Sequence, residues 1–173
     1  MNNIEIDFNN EKHIEYILKL ARRNNFYVPD LNYLVGGILF PEMEKLFDES
    51  TFFKSKMDVY NACPIYQLEE DRKGFLVCID KKVVGFIIYY LEHKLNITRV
   101  NFLLIDKKYT SNGYGSYLLS LIEKTNKFIV IDKVEPDFVG YYKKKGYSEM
   151  TKMMMKMFNI EDNGYKTLLK LII

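Results

Sequence analysis

Histidine and cysteine are scarce in this 173-residue chain, with two of each: His13, His93, Cys63 and Cys78. Two cysteines make no disulfide framework. The two histidines are isolated, so no cluster has zinc-ligand spacing and no metal is expected. Cys63 precedes Pro64 and has no neighbouring histidine to activate it, and Cys78 lies mid-strand as a small hydrophobe. Long hydrophobic runs are missing as well. The longest, Val83 to Leu91, is far short of the ~20 residues of a membrane span. The N-terminus Met-Asn-Asn-Ile-Glu has neither the basic flank nor the apolar block of a signal peptide. The expected setting is the cytoplasm, with no membrane partner. Repeats and low-complexity linkers are absent too, so one domain over residues 1–173 is the simplest organisation.

What is present is an ordinary globular balance, 48% apolar and 28% charged residues. The net charge of +2 is too small to point to nucleic acid. Its distribution is uneven. Residues 1–73 hold 13 acids and 9 bases, a net of −4; residues 74–173 hold 10 acids and 16 bases, a net of +6. Such a split arises from scattered surface charge, or from a second half that meets an anion and a first half that meets a cation. Glu69-Glu70-Asp71 reads as an exposed turn or as an attractor for a cationic substrate.

The apolar spacing predicts a strand over Ile4–Phe8 and a helix from an Asn10 cap to Asn24-Asn25, with Ile14, Ile17, Leu18 and Ala21 on one face. A second, irregular helical region lies between Leu31 and Met57. Strands follow at Phe75–Ile79, Val83–Glu92 and Ile97–Ile105 as an antiparallel meander. A helix over Tyr114–Lys124, a strand over Phe128–Val134 and a helix over Pro136–Lys145 come next. Tyr147–Phe158 and Tyr165–Ile173 read as two closing strands. The order is β-α-α-β-β-β-α-β-α-β-β, a mixed α/β (α+β) sheet. On this reading Met150, Met153, Met154, Met155 and Met157 fall on both faces of one strand, where they pack the core or form a homodimer contact.

The chemistry concentrates after the third meander strand, in Leu103-Leu104-Ile105-Asp106-Lys107-Lys108-Tyr109-Thr110-Ser111-Asn112-Gly113-Tyr114-Gly115-Ser116. A strand ends, a loop with two glycines follows, and a helix starts at once. The first N–H groups of a helix have no internal partner and sit at the positive end of the dipole. Glycines let that backbone come close to a bulky anion. The loop therefore predicts a phosphate or pyrophosphate cradle, without saying whose. A nucleoside triphosphate loop would carry Lys directly after the second glycine, and Ser116 stands there. A dinucleotide fingerprint would carry three spaced glycines in a parallel unit, and only two are found, behind an antiparallel meander.

The whole segment resembles motif A of the GCN5-related N-acetyltransferase (GNAT) superfamily, an acyl-CoA N-acyltransferase family in which a strand and an Arg/Gln-x-x-Gly-x-Gly/Ala loop lead into a helix. The loop here is Thr110-Ser111-Asn112-Gly113-Tyr114-Gly115. Downstream, Tyr141-Tyr142-Lys143-Lys144-Lys145-Gly146-Tyr147 is similar to motif B: an aromatic, a Tyr, three residues, a Gly and an aromatic. The intervening helix and strand, the upstream meander and the closing strands match in order. The chain departs from the pattern at three places. Thr110 replaces Arg or Gln. Glu135 stands where many members carry Asn beside the pantetheine arm. Arg99 and Asn101 occupy the early strand where many members place a Glu base.

The resemblance implies acetyl-CoA as co-substrate and an amine-bearing acceptor, attacked directly and without a covalent enzyme intermediate. Backbone groups of Thr110, Ser111, Asn112, Gly113, Tyr114, Gly115 and Ser116 would hold the CoA pyrophosphate. The main chain of Leu103, Leu104 and Ile105 would pair with the pantetheine arm, with Glu135 beside it. An N–H near Leu104 would polarise the thioester carbonyl. Tyr142 would protonate the leaving thiolate, a phenol of pKa ~10 against a thiol of ~8.5. Glu92 or His93 would take the proton of the amine, and Asn101 would orient a water. Lys143-Lys144-Lys145 is a solvated helix face or a contact for the CoA 3′-phosphate. The departures leave open a different class of function, an acyl-CoA-binding sensor or partner module of the same fold without turnover. The acceptor itself carries no motif.

Overall fold

The computed structural model describes residues 1–8, 10–24, 72–162 and 164–172. The expected second helical region, Leu31–Met57, and the acidic triple at 69–71 lie outside the described residues. The described elements are β1 (Asn2–Glu5), α1 (Glu11–Arg23), β2 (Arg72–Ile79), β3 (Lys82–Glu92), β4 (Ile97–Ile105), α2 (Tyr114–Glu123), β5 (Phe128–Val134), α3 (Pro136–Lys144), β6 (Ser148–Glu149), α4 (Lys152–Met157) and β7 (Lys166–Leu171). They form a mixed α/β fold around one seven-stranded sheet in the order β1-β2-β3-β4-β5-β7-β6. The pairings are antiparallel except β4 with β5.

Local chemistry explains most boundaries. Asn10 caps α1 by accepting from the Lys12 N–H, and Asn24 closes it. The β2–β3 hairpin turns at Asp80 and Lys81, both in the left-handed region. The continuous apolar run of β3 is buried on both faces. Phe86 and Ile88 pack under α1 with Ile14, Ile17 and Leu20. Val84, Ile87 and Tyr89 pack under α2 with Leu118, Leu119 and Ile122. A strand covered on both sides needs no polar alternation. Phe86, Ile87 and Ile88 are fully buried; each such side chain stabilises the fold by about 1.5–3 kcal/mol through removal from water.

One expected element is corrected. Tyr147–Phe158 is not a single strand: pairing with β7 stops after Ser148 and Glu149, and α4 follows. Thr151 caps that helix, accepting from the Met154 N–H at 3.2 Å. Met and Lys form helices well, and the alternating contacts read as two strand faces belong to a helical turn. Met155 is buried with Met150, Ile97, Val130 and Ile160 in a third core cluster, whereas Met153 and Met157, four residues apart, are exposed.

Candidate active site

The site begins with an irregularity in β4. Ile88 pairs with Phe102, but the next residue, Tyr89, pairs with Val100, so Asn101 is the extra residue of a β-bulge. A bulge bends its strand and sharpens the local twist. The parallel ladder between β4 and β5 runs over three pairs, Thr98–Ile129, Arg99–Val130 and Val100–Ile131, and stops there. Residues 102–105 stay paired with β3 on one side and have no ladder partner on the β5 side among the described residues. Unpaired main-chain donors and acceptors inside a sheet can take an extended ligand as an added strand. Leu103 and Ile105 face α2, and Leu104 faces α1.

The chain then enters the glycine loop. Asp106 accepts from the Lys108 N–H and opens a short 3-10 turn, Lys107–Tyr109. Thr110 Oγ1 donates to the Lys107 carbonyl, and the Asn112 amide donates to the carbonyls of Tyr109 and Thr110. These two side chains therefore brace the loop from within. Ser111 and Gly113 lie at φ 67° and 82°. Gly113 is the N-cap of α2 and supplies no side-chain cap. The Tyr117 N–H makes the helix's first bond, to the Gly113 carbonyl at 2.9 Å. The N–H groups of Tyr114, Gly115 and Ser116 precede it and find no partner among the described residues. A Cβ on Gly115 would lie 3.1 Å from the Tyr141 hydroxyl and 3.7 Å from Ile105. That hydroxyl also lies 3.2 Å from Ser116 Oγ. An open row of amides at a helix start suits a diphosphate, and the residues present fit a CoA-type ligand.

The loop is anchored from α1. Arg23 reaches the buried Asp106 carboxylate at 2.5 Å, as an ionic contact and not an aligned hydrogen bond. The Asn24 side chain accepts from the Lys107 N–H and donates to the Leu20 carbonyl. The pairings Arg23–Asp106, Asn24–Lys107 and Ser116–Tyr141 carry no signal in the sequence, because the partners are distant along the chain.

Tyr142 lies in α3, with its ring edge-on to Tyr141 at 5.1 Å and to Tyr147 at 5.7 Å. It is 8% exposed. Burial, and next the neighbouring Tyr141, push its phenol well above the usual range. Glu135 is the exposed N-cap residue of α3 and makes no side-chain cap bond. Lys143 pairs with Glu149.

The remaining candidates lie toward the opposite end of the sheet. Glu92 Oε2 accepts from Arg99 Nε at 2.7 Å, and the same guanidinium donates to the Phe158 carbonyl. His93 is exposed in the β3–β4 turn. Glu92 pairs with Ile97, four residues below Asn101, which is about 13 Å along a strand. The structure thus brings Asn101 to the point where β4 and β5 part, and leaves the Glu92 and His93 backbones away from it. It also brings Asp132 there. Asp132 follows Ile131, the last β5 residue in the ladder, and accepts from the buried Thr167 hydroxyl at 2.7 Å. An aspartate directly after the apolar run Phe128-Ile129-Val130-Ile131 was a visible signal.

The family model described as acetyltransferase (GNAT) family matches residues 38–147. The chain belongs to the GNAT acetyltransferase family. The match includes the glycine loop and ends at Tyr147. No curated protein matches the chain. Solved GNAT structures share the fold. GCN5 from Tetrahymena superposes with a TM-score of 0.63 at 12% identity, covering 100% of this chain and 97% of its own. An aminoglycoside 6′-acetyltransferase type Ii gives 0.59 at 15%, covering 100% and 98%. The PaiA N-acetyltransferase from Thermoplasma acidophilum, solved in complex with coenzyme A, gives 0.58 at 17%, covering 99% of both chains. Identities this low carry the GNAT fold and no acceptor.

Proposed function

We propose that this protein is a single-domain, cytoplasmic N-acetyltransferase that moves an acetyl group from acetyl-CoA to a primary amine within a ternary complex. The observation that carries the reading is the coincidence of two features on one strand. The β4–β5 ladder ends after Val100, and the same strand runs on into an uncapped helix start at Gly113. Slot and cradle are contiguous, as a long ligand with a diphosphate and an extended arm requires. The PaiA N-acetyltransferase, solved in complex with coenzyme A, supports the same ligand class.

In this reading the amides of Ser111 to Ser116 hold the diphosphate. The free edge of Leu103, Leu104 and Ile105 holds the pantetheine arm, with the exposed Glu135 beside it. An N–H near Leu104 stabilises the oxyanion as the amine attacks the thioester carbon. The C–N bond forms, the C–S bond breaks, and Tyr142 donates its proton to the departing sulfur. A phenol is protonated at neutral pH, as an acid must be; burial raises it further, so the transfer to sulfur is uphill and is drawn forward by C–S cleavage and by recovery of the nitrogen's proton. The surplus proton on the new amide nitrogen returns to Tyr142. Glu92 is held by Arg99 below the reaction point, and Asn101 orients water at the bulge.

The test is thiol release from acetyl-CoA over a panel of primary amines, run beside thermal stabilisation by CoA. Stabilisation together with amine-dependent thiol release is expected. CoA stabilisation with no release over any amine supports the non-catalytic binding module instead. Stabilisation by a nucleotide and not by CoA refutes both.

A further inference from the structure

Asn101 and Asp132 stand on the two strands at the point where they separate. Val100 and Ile131 form the last ladder pair, so one further step would set Asn101 opposite Asp132. The β5–β7 register shifts between Ile131 and Val134, and it is the bond from Thr167, which alternates with Leu168 of the α2 side, that puts the Asp132 side chain on the face of Phe128 and Val130, away from α2. Leu103, Ile105 and the buried Tyr142 belong to the other face. The acyl donor's slot therefore has the Tyr142 phenol on one face of the sheet and a carboxylate on the other.

The neighbours of Asp132 hold it there. Thr167 of β7 donates to Oδ1. Tyr90 of β3 is a neighbour that Asp132 shares with Arg99 and Glu92. The Tyr90 hydroxyl is raised first by burial, then lowered by Arg99 and raised again by Glu92 and Asp132. Glu92 is committed to Arg99 through Oε2.

Resting on the transferase reading above, we propose that Asp132 receives the acceptor: its carboxylate binds the incoming primary ammonium and takes the proton that must leave before attack. The atoms balance. One ammonium proton passes to Asp132 and on to solvent, the neutral nitrogen attacks, and the second surplus proton leaves with the thiol by way of Tyr142. Carboxylates are weaker bases than alkylamines, ~4 against ~10, so the first transfer is uphill and is drawn forward by C–N bond formation. Acceptors are therefore cationic amines.

The test compares Asp132→Asn with wild type on two acceptors: a charged alkylamine taken from the panel, and hydroxylamine, which is largely neutral at pH 7. A charge-assisted hydrogen bond predicts a loss of about 10- to 100-fold in kcat/KM for the alkylamine. Hydroxylamine turnover and CoA stabilisation should be unchanged, and Asp132→Glu should recover part of the alkylamine rate. Equal losses on both acceptors, or no loss on either, overturn the role of Asp132. Wild-type protein that binds CoA and acetylates no amine overturns the transferase reading and this inference together.

Discussion

Two glycines in this protein look alike from outside and should respond oppositely to the same methyl group. An added Cβ meets nothing within 4 Å at Gly113 or at Gly140. Gly113 sits at φ 82°, and Gly140 lies inside α3. Alanine at Gly113 must enter the left-handed region, which costs about 1–2 kcal/mol. Stiffening of the unfolded chain offsets about 0.4–1 kcal/mol of that. The expected net loss is about 1 kcal/mol. Alanine at Gly140 keeps the helix and should stabilise by about 0.8–1 kcal/mol. The two variants should thus differ by about 2 kcal/mol, or about 1 M in urea midpoint at a slope of about 2 kcal/mol/M. Urea denaturation followed by circular dichroism reads this directly. A Gly113→Ala midpoint at or above wild type would refute the left-handed helix start on which the cradle depends. A Gly140→Ala midpoint below wild type would mean that something packs on α3 there.

Other outcomes follow from the same contacts. Tyr142→Phe should lower kcat by about 100-fold or more, in the range of a lost general acid, with CoA affinity unchanged; a wild-type kcat removes the phenol from the chemistry. Tyr142 and Tyr147 are both raised above the ordinary phenol range, burial being the largest cause for each. Their stabilisation is complete below the unfolded value of ~10 and is lost as pH rises beyond it, because the unfolded state gives up protons first. Urea midpoints should therefore fall above pH ~10, less steeply in Tyr142→Phe; equal slopes refute the burial argument. Thr151→Ala should cost about 1 kcal/mol through loss of the α4 cap, and an unchanged stability would return residues 152–157 to an extended reading.

Much of this architecture was legible because its causes are local. The Asn10 cap, the Asp80-Lys81 turn, the meander and the strand–loop–helix around Gly113 each depend on neighbours a few residues apart. Thr151 and the Lys-Met run misled the strand reading because a two-residue strand precedes them, and only pairing with β7 shows where extension ends. Asp106 gave no sign of its partner Arg23, 83 residues away in the case of the adjoining Asn24–Lys107 bond. The pairing of Glu92 with Arg99, and of the same guanidinium with the Phe158 carbonyl, emerges only when β3, β4 and the segment after α4 are brought together.

From its own residues the chain determined the strand–loop–helix and its uncapped start at Gly113, because orphan amides and φ are properties of consecutive residues. Tertiary structure alone decided where the chemistry sits. The bulge at Asn101 lies where the β4–β5 ladder ends, beside Asp132, and the Tyr142 phenol is raised because a whole cluster of side chains buries it. Strand divergence and burial are produced by groups far apart in sequence, so no reading of neighbours along the chain contains them.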